Sequence, residues 1–114
     1  MIAVKSHTEF LKRIDEPRVT FVYYTATWCG PCKVVSPVIE RFAESLKRSS
    51  FLKVDVDEHD NICEEQGIQS VPTIQVWSGG KMLAHTEGCS KTNVEQLVAT
   101  HGVPGISLEE DLTV

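Results

Sequence analysis

The sequence predicts a single α/β domain with a central mixed β-sheet and helices on both of its faces. The strongest indication is a strand–helix–strand unit, with an apolar, β-branched and aromatic run over 19–24, an amphipathic helix over 33–46 and a second strand over 51–56. A crossover of this kind requires parallel pairing and a right-handed connection. Two further runs, 73–77 and 81–86, are separated by Ser-Gly-Gly, which is typical of an antiparallel hairpin.

Length and composition are those of one globular domain. The chain has 114 residues, of which 41% are hydrophobic and 24% charged. Its net charge of −5, without any basic run, argues against nucleic-acid binding. The first residues lack the pattern of a signal peptide, and no stretch reaches transmembrane length. Four cysteines without a secretory signal favour a reducing compartment, so we expect a cytoplasmic protein that does not bind membranes.

The first helix is expected over 7–15. Ser6 and Glu9 have the S-x-x-E spacing of a capping box, and Pro17 stops the helix. The strand over 19–24 does not alternate cleanly between apolar and polar residues, which favours a central strand covered on both faces.

The second helix carries an apolar stripe at close to the 3.6-residue period. Pro37 lies within this helix, removes one backbone donor and should kink it. A short third helix over 59–66 should end at Gly67. The stripe of the second helix consists of Val34, Val35, Val38, Ile39, Phe42 and Leu46.

The last helix is expected to end at Gly102. Either Ser90 or Thr92 can cap it, and Thr92 and Glu95 again have the spacing of a capping box. Residues 103–114 then form a C-terminal extension.

Two cysteines separated by two residues join the first long strand to the second helix. Cys29 would lie at the helix N-terminus, where unpaired N–H groups and the helix dipole favour the thiolate and lower the thiol pKa. Cys32 would lie about one turn further in and could attack a mixed disulfide formed at Cys29, so the pair suits dithiol–disulfide exchange. Half of a metal site is the alternative, but Cys63 and Cys89 have no C-x-x-C or H-x-x-x-H partner, and we predict no metal.

The run Trp28-Cys29-Gly30-Pro31-Cys32, followed by Lys33, resembles the active-site motif of the thioredoxin family. The resemblance covers roughly residues 1–102 and implies the thioredoxin fold. It gives a thioredoxin domain over 1–102 and an extension over 103–114 that we expect to be flexible or loosely docked. The other matching segments are Thr25-Ala26-Thr27, Lys53-Val54-Asp55-Val56-Asp57, Val71-Pro72-Thr73 and Gly88.

The resemblance also implies roles for the motif residues. Cys29 would be the exposed nucleophile and Cys32 the resolving thiol. Gly30 and Pro31 would keep the turn tight and stiff, which favours reducing over oxidising chemistry. Trp28 would form an apolar wall beside the substrate rather than part of the core.

Further residues are implied to bind the substrate. Pro72 would follow a cis peptide bond and lie against the disulfide, and Val71 would offer its backbone to an extended peptide by β-strand addition. Gly88 and Cys89 would lie on the same surface, where Gly88 lets the peptide approach. Cys89 could be glutathionylated or form a disulfide-linked dimer there, although an unreactive thiol is the favoured interpretation. Cys63 is interpreted as a buried small hydrophobe.

Tyr23 departs from the family pattern, which usually has a buried aspartate six residues before the first cysteine. That carboxylate helps to move the proton of the resolving cysteine, and an unperturbed tyrosine cannot act as a base at pH 7. We therefore hypothesise that Tyr23 contributes only a hydroxyl hydrogen bond and that water or Lys53 assists the proton transfer. A core tyrosine without a catalytic part and a solvent-facing Lys53 are the alternatives.

The resemblance implies a protein-disulfide reductase and electron carrier that maintains cell redox homeostasis. We expect a monomer without its own cofactor, recycled by an NADPH-dependent thioredoxin reductase, with peroxiredoxins and ribonucleotide reductase as clients. The alternative from the binding class is a regulatory module that docks a partner in one redox state. The Gly-Pro dipeptide and the missing signal sequence disfavour a secretory oxidase or isomerase. The dipeptide and the lack of a recognisable glutathione site disfavour a glutaredoxin.

Overall fold

The computed structural model describes residues 1–102 as a five-stranded sheet with four helices. The predicted extension over 103–114 lies outside the described residues. Within the described range, no helix combines the length and the apolar character needed to cross a membrane. In chain order, the elements are β1 (Ile2–Ala3), α1 (His7–Asp15), β2 (Thr20–Thr25), α2 (Gly30–Ser45), β3 (Ser50–Asp55), α3 (Asp60–Gln66), β4 (Thr73–Ser78), β5 (Lys81–Glu87) and α4 (Lys91–His101).

The strand order β1-β3-β2-β4-β5 confirms the predicted mixed sheet. β2 pairs in parallel with β3 on one side and antiparallel with β4 on the other. β4 and β5 form the predicted hairpin. β1, which pairs in parallel with β3, is not predicted by the sequence because a two-residue strand shows no periodicity.

Two apolar clusters hold the helices against opposite faces of the sheet. α1 and α3 pack in the cluster that contains Val22 and Tyr24, whereas α2 and α4 pack in the cluster that contains Phe21 and Tyr23. Because successive side chains of a strand point to opposite faces, β2 contributes to both clusters, and all six of its residues are buried. This confirms helices on both faces and a central strand covered on both sides.

The limits of α1 and α3 lie close to the predicted ones. The hydroxyl of Ser6 caps α1 by accepting the backbone N–H of Glu9 at 3.1 Å. Gly67 ends α3 with a φ of 67°, in the left-handed region that favours glycine.

α2 begins at Gly30, three residues before the predicted start. Cys29 is its N-cap, and Pro31 is tolerated in the first turn, where a backbone N–H has no partner within the helix. The helix continues past Pro37 to Ser45. The first turn of α2 therefore contains the second cysteine of the motif.

Ser90 caps α4. Its Oγ accepts the backbone N–H of Asn93 at 3.2 Å, and Asn93 Oδ1 accepts the backbone N–H of Ser90 at 2.9 Å. The predicted capping box between Thr92 and Glu95 is wrong, because α4 already begins at Lys91 and Thr92 lies in its first turn.

Candidate active site

A disulfide lies where β2 ends and α2 begins. It joins Cys29 to Cys32, whose Cα atoms are 5.3 Å apart. Cys29 is the N-cap of α2, and the backbone N–H of Cys32 donates to Cys29 Sγ at 3.2 Å. The predicted arrangement of strand, C-x-x-C and helix is confirmed.

This geometry favours negative charge on the Cys29 sulfur when the disulfide opens. A helix N-terminus presents unpaired N–H groups and the positive end of the helix dipole, and the N-cap side chain lies next to both. A thiolate stabilised in this way is a nucleophile at neutral pH and also a good leaving group. The two cysteines are therefore chemically unequal.

Both cysteines are buried in the disulfide-bonded protein. Cys29 retains 4% of its accessible surface and Cys32 retains 2%. They pack with Ala26, and Val56 and Val71 flank this small cluster. The prediction that Cys29 is exposed is wrong for this redox state, because the neighbouring apolar side chains cover the disulfide.

Trp28, directly before Cys29 in the chain, is an exposed aromatic residue. Its residue is 68% exposed, and its Nε1 donates to Asp57 Oδ2 at 2.8 Å. The indole lines a pocket of about 150 Å³ together with Val56 and Val71, which also flank the disulfide. Trp28 is therefore not a core residue, and Asp57 fixes the orientation of its ring.

The segment before β4 lies beside the disulfide. The Val71–Pro72 peptide bond is cis, as the resemblance implied. The carbonyl of Pro72 accepts the backbone N–H of Cys89 at 2.9 Å. Gly88 is exposed and has a φ of 61°, a conformation that residues with a Cβ rarely adopt. These contacts bring Val71, Pro72, Gly88 and the backbone of Cys89 together.

The two other cysteines are buried thiols. Cys89 is 2% exposed and packs in the cluster of α2 and α4, and burial raises the pKa of its thiol to about 11. The prediction that Cys89 lies on the substrate surface is therefore wrong for its side chain, which points into the core. Burial also raises the pKa of the Cys63 thiol, and Asp60, Asp55 and Asp57 raise it further. The interpretation of Cys63 as a buried small residue is confirmed.

We expect iodoacetamide at pH 8 to label reduced Cys29 quickly and Cys63 and Cys89 slowly. A thiol with a pKa of about 11 is roughly one part in a thousand thiolate at that pH, and burial further limits access. Mass spectrometry of the digested protein measures the order of labelling. In denaturant all four cysteines should react at similar rates, whereas fast labelling of Cys89 in the folded chain would contradict its buried position.

Tyr23 is buried and contacts the backbone of Cys32. It is 1% exposed, and its hydroxyl donates to the carbonyl oxygen of Cys32 at 3.2 Å and lies 2.7 Å from Ser36 Oγ. The hydroxyl hydrogen bond expected of Tyr23 is present, and it reaches the backbone of Cys32.

A cavity of about 310 Å³ opens beside Cys32. Lys53 and Asp55, from the end of β3, line it together with Cys32 and Ser36. Lys53 is exposed, and its Cα is in register with that of Tyr23 on β2. Lys53 and Cys32 therefore line the same cavity.

Sequence reasoning misses Asp57 and Ser36 as parts of the site. The four-residue spacing from Cys32 to Ser36 places both on one face of α2 and could have indicated a contact. No comparable signal links Asp57 to Trp28. Among residues 1–102, no three His, Cys, Asp or Glu side chains are grouped so that they could hold a metal ion.

A cysteine pair that closes and reopens a disulfide can exchange two electrons with another disulfide. The fold and this site therefore define a dithiol–disulfide oxidoreductase. Comparison with known proteins shows which family of dithiol–disulfide oxidoreductases this chain matches. The family model described as Thioredoxin matches residues 1–100.

Individual relatives agree with the family model. The chain is 33% identical to Thioredoxin-1 of Saccharomyces cerevisiae over 97 residues, which cover 85% of this chain and 94% of the relative. It is 39% identical to a thioredoxin of Coprinus comatus, over 79% of this chain and 87% of the relative. A solved thioredoxin structure from Plasmodium falciparum superposes with a TM-score of 0.84 at 32% identity, covering 89% and 99% of the two chains. The chain belongs to the thioredoxin family and is a protein-disulfide reductase.

Proposed function

We propose that this protein carries electrons from an NADPH-dependent thioredoxin reductase to disulfides in client proteins and so maintains cell redox homeostasis. The observation that supports this most directly is Cys29 Sγ at the N-cap of α2, where it accepts the backbone N–H of Cys32 at 3.2 Å. A sulfur held there is stabilised as a thiolate, which is the species that attacks disulfides.

Cys29 is the nucleophile of the proposed cycle. In the reduced protein its thiolate attacks one sulfur of a client disulfide, and the client S–S bond breaks. A mixed disulfide forms at Cys29, while the other client sulfur leaves as a thiolate and takes a proton from water. Gly30 and Pro31, which are both exposed, keep the turn short and leave room for the client.

Cys32 completes the cycle by resolving the mixed disulfide. Its thiol gives a proton to water in the 310 Å³ cavity, and the resulting thiolate attacks Cys29 Sγ. The Cys29–Cys32 disulfide forms, and the second client sulfur leaves as a thiolate that water protonates. Two electrons have then passed from the dithiol to the client.

The client binds in an extended conformation next to the cis-proline. Val71 offers its backbone, in the manner of an added β-strand, and Gly88 leaves space because it has no side chain. Trp28 forms the apolar wall of this surface. Cys89 contributes only through its backbone N–H, which holds the carbonyl of Pro72.

Tyr23 and Lys53 tune the resolving step in different ways. A phenol cannot accept the proton of a thiol at neutral pH, so Tyr23 orients Cys32 through its hydroxyl instead of acting as a base. Lys53 lines the same cavity as Cys32, where its positive charge favours the thiolate.

The proposed partners follow from membership of the family. The chain needs no cofactor of its own, because electrons enter at the disulfide and the reductase is the partner that uses NADPH. Peroxiredoxins and ribonucleotide reductase are the proposed clients. We place the protein in the cytoplasm as a monomer, and its net charge of −5 is consistent with protein rather than nucleic-acid partners.

Dithiothreitol-driven reduction of insulin tests the reductase cycle. The unmodified protein should accelerate the reduction, and Cys29→Ser should lower the rate to that of dithiothreitol alone, because no other thiol is placed at a helix N-cap among residues 1–102. Cys63→Ser is the matched control and should keep the full rate, since that thiol is buried away from the disulfide.

The same assay separates the competing functions. A protein that does not reduce insulin, although its disulfide opens and closes reversibly, would support a redox switch that docks a partner. Replacing dithiothreitol by NADPH and a thioredoxin reductase tests recycling alone. Turnover with dithiothreitol but not with the reductase would contradict the proposed electron donor and leave the reductase activity intact.

A further inference from the structure

Ser36 links the buried Tyr23 to the cavity beside Cys32. Its Oγ lies 2.7 Å from Tyr23 Oη, and the same phenol donates to the carbonyl oxygen of Cys32 at 3.2 Å. Ser36 also lines the 310 Å³ cavity that Cys32 lines, whereas Tyr23 is 1% exposed and does not line it. Ser36 therefore contacts both the buried Tyr23 hydroxyl and the cavity beside Cys32.

The direction of the hydrogen bonds follows from counting protons. Tyr23 has one hydroxyl proton and donates it to the Cys32 carbonyl, so the Ser36 hydroxyl donates to Tyr23 Oη. A serine within a helix commonly bonds the carbonyl four residues back, as Ser45 bonds that of Arg41 at 3.0 Å. For Ser36 that carbonyl belongs to Cys32, which accepts the Tyr23 hydroxyl, and the Ser36 Oγ contact is with Tyr23 Oη. Ser36 instead holds the phenol in place.

This contact stabilises α2 where its own hydrogen bonding is incomplete. Pro37, the next residue, has no N–H to donate to the carbonyl of Lys33 four residues back. The bonds among Tyr23, Ser36 and Cys32 tie this part of the helix to β2. Attack by Cys32 on a mixed disulfide requires close alignment of the reacting sulfurs, so small displacements of its backbone should slow the reaction.

We propose that Ser36 is a positioning residue for the resolving step and acts with Tyr23 through the Cys32 carbonyl. The inference rests on the proposed disulfide-exchange cycle. In that step the Cys32 thiol gives its proton to cavity water, its sulfur bonds to Cys29 Sγ, and the Cys29–client bond breaks. The client leaves as a thiolate that water protonates, and Ser36 neither gains nor loses a proton.

The two steps can be timed separately with dithiobis(nitrobenzoate). Mixing this reagent with the reduced protein releases one coloured thiolate when Cys29 attacks and a second when Cys32 resolves the adduct. Ser36→Ala is expected to slow the second release by about 2- to 12-fold, which corresponds to the loss of one neutral hydrogen bond, and to leave the first unchanged. Ser36→Thr keeps the hydroxyl and should restore the second rate.

Ser45→Ala is the matched control, because it removes a hydroxyl–carbonyl bond of the same helix away from the cysteines. It should change neither release. Tyr23→Phe should slow the second release like Ser36→Ala, and adding Ser36→Ala to Tyr23→Phe should have no further effect if the two hydroxyls act together.

Three results would overturn the assignment of Ser36. They are an unchanged second release in Ser36→Ala, equal slowing of both releases, and additive effects of the two substitutions. Thermal unfolding of each variant shows whether the variant is folded. Loss of the fold would slow both releases, whereas loss of positioning slows only the second. If the unmodified protein itself releases only one thiolate, the proposed cycle fails, and this outcome is distinct from a failure of the Ser36 assignment.

Discussion

Cys32→Ser is expected to lower turnover by about a hundredfold or more and to trap a client on Cys29 as a mixed disulfide. The first attack needs only the Cys29 thiolate, and the N-cap position that favours this thiolate depends on backbone N–H groups that the substitution leaves in place. The serine hydroxyl cannot attack the mixed disulfide, so the adduct persists. Nonreducing electrophoresis and mass spectrometry with a disulfide-bonded client measure the trapped complex.

The adduct should dissociate when dithiothreitol is added, which shows that a disulfide holds it. The double variant Cys29→Ser/Cys32→Ser should trap nothing, and Cys89→Ser should turn over like the unmodified protein because its thiol is buried in the core. Turnover of Cys32→Ser at the normal rate, or trapping at a cysteine other than Cys29, would show that the assigned roles are wrong.

The strand–helix–strand unit could be predicted because its elements are long and periodic. The limits of β2, α2 and β3 differ from the predicted ones by at most three residues. β1 could not be predicted, because Ile2 and Ala3 form a strand only through pairing with β3. The cap of α4 was ambiguous for a related reason. Ser90 and Thr92 are both good caps, and local preference alone cannot choose between them.

The reactive pair of the site could be predicted more fully than its surroundings. Motif spacing indicates that Cys29 and Cys32 share a helix start, because that relation is local. The contact between Tyr23 and Ser36 joins two residues that are 13 positions apart in the chain, and it depends on how α2 packs against β2. Cys89 shows the same limit. Its backbone borders the cis-proline as expected, but packing turns its side chain into the core.

Tyr23→Asp, which introduces the acid usual in this family, is expected to destabilise the fold increasingly as the pH rises. The site is 1% exposed and lies in an apolar cluster, so desolvation should raise the pKa of the new carboxyl above its unfolded value near 4. The folded state then binds the proton more tightly than the unfolded state. Stability is therefore highest below about pH 4 and falls until the pH exceeds the folded pKa. A rise of two to three pKa units costs about 3–4 kcal/mol at higher pH.

Tyr23→Asn isolates the charge from the lost phenol, because it has nearly the same shape as Tyr23→Asp without an ionisable group. Urea unfolding at several pH values should give similar free energies of unfolding for the two variants near pH 4 and a lower value for Tyr23→Asp at pH 8. A difference that does not change with pH would mean that the carboxylate is solvated at this position.

In the resolving step, Tyr23→Asp should also add an ionisation that Tyr23→Asn lacks, because a buried carboxylate can take the Cys32 proton whereas a phenol cannot. An unchanged pH–rate profile would show that proton transfer at position 23 does not limit the reaction, and that the hydroxyl of Tyr23 acts only by holding the Cys32 backbone.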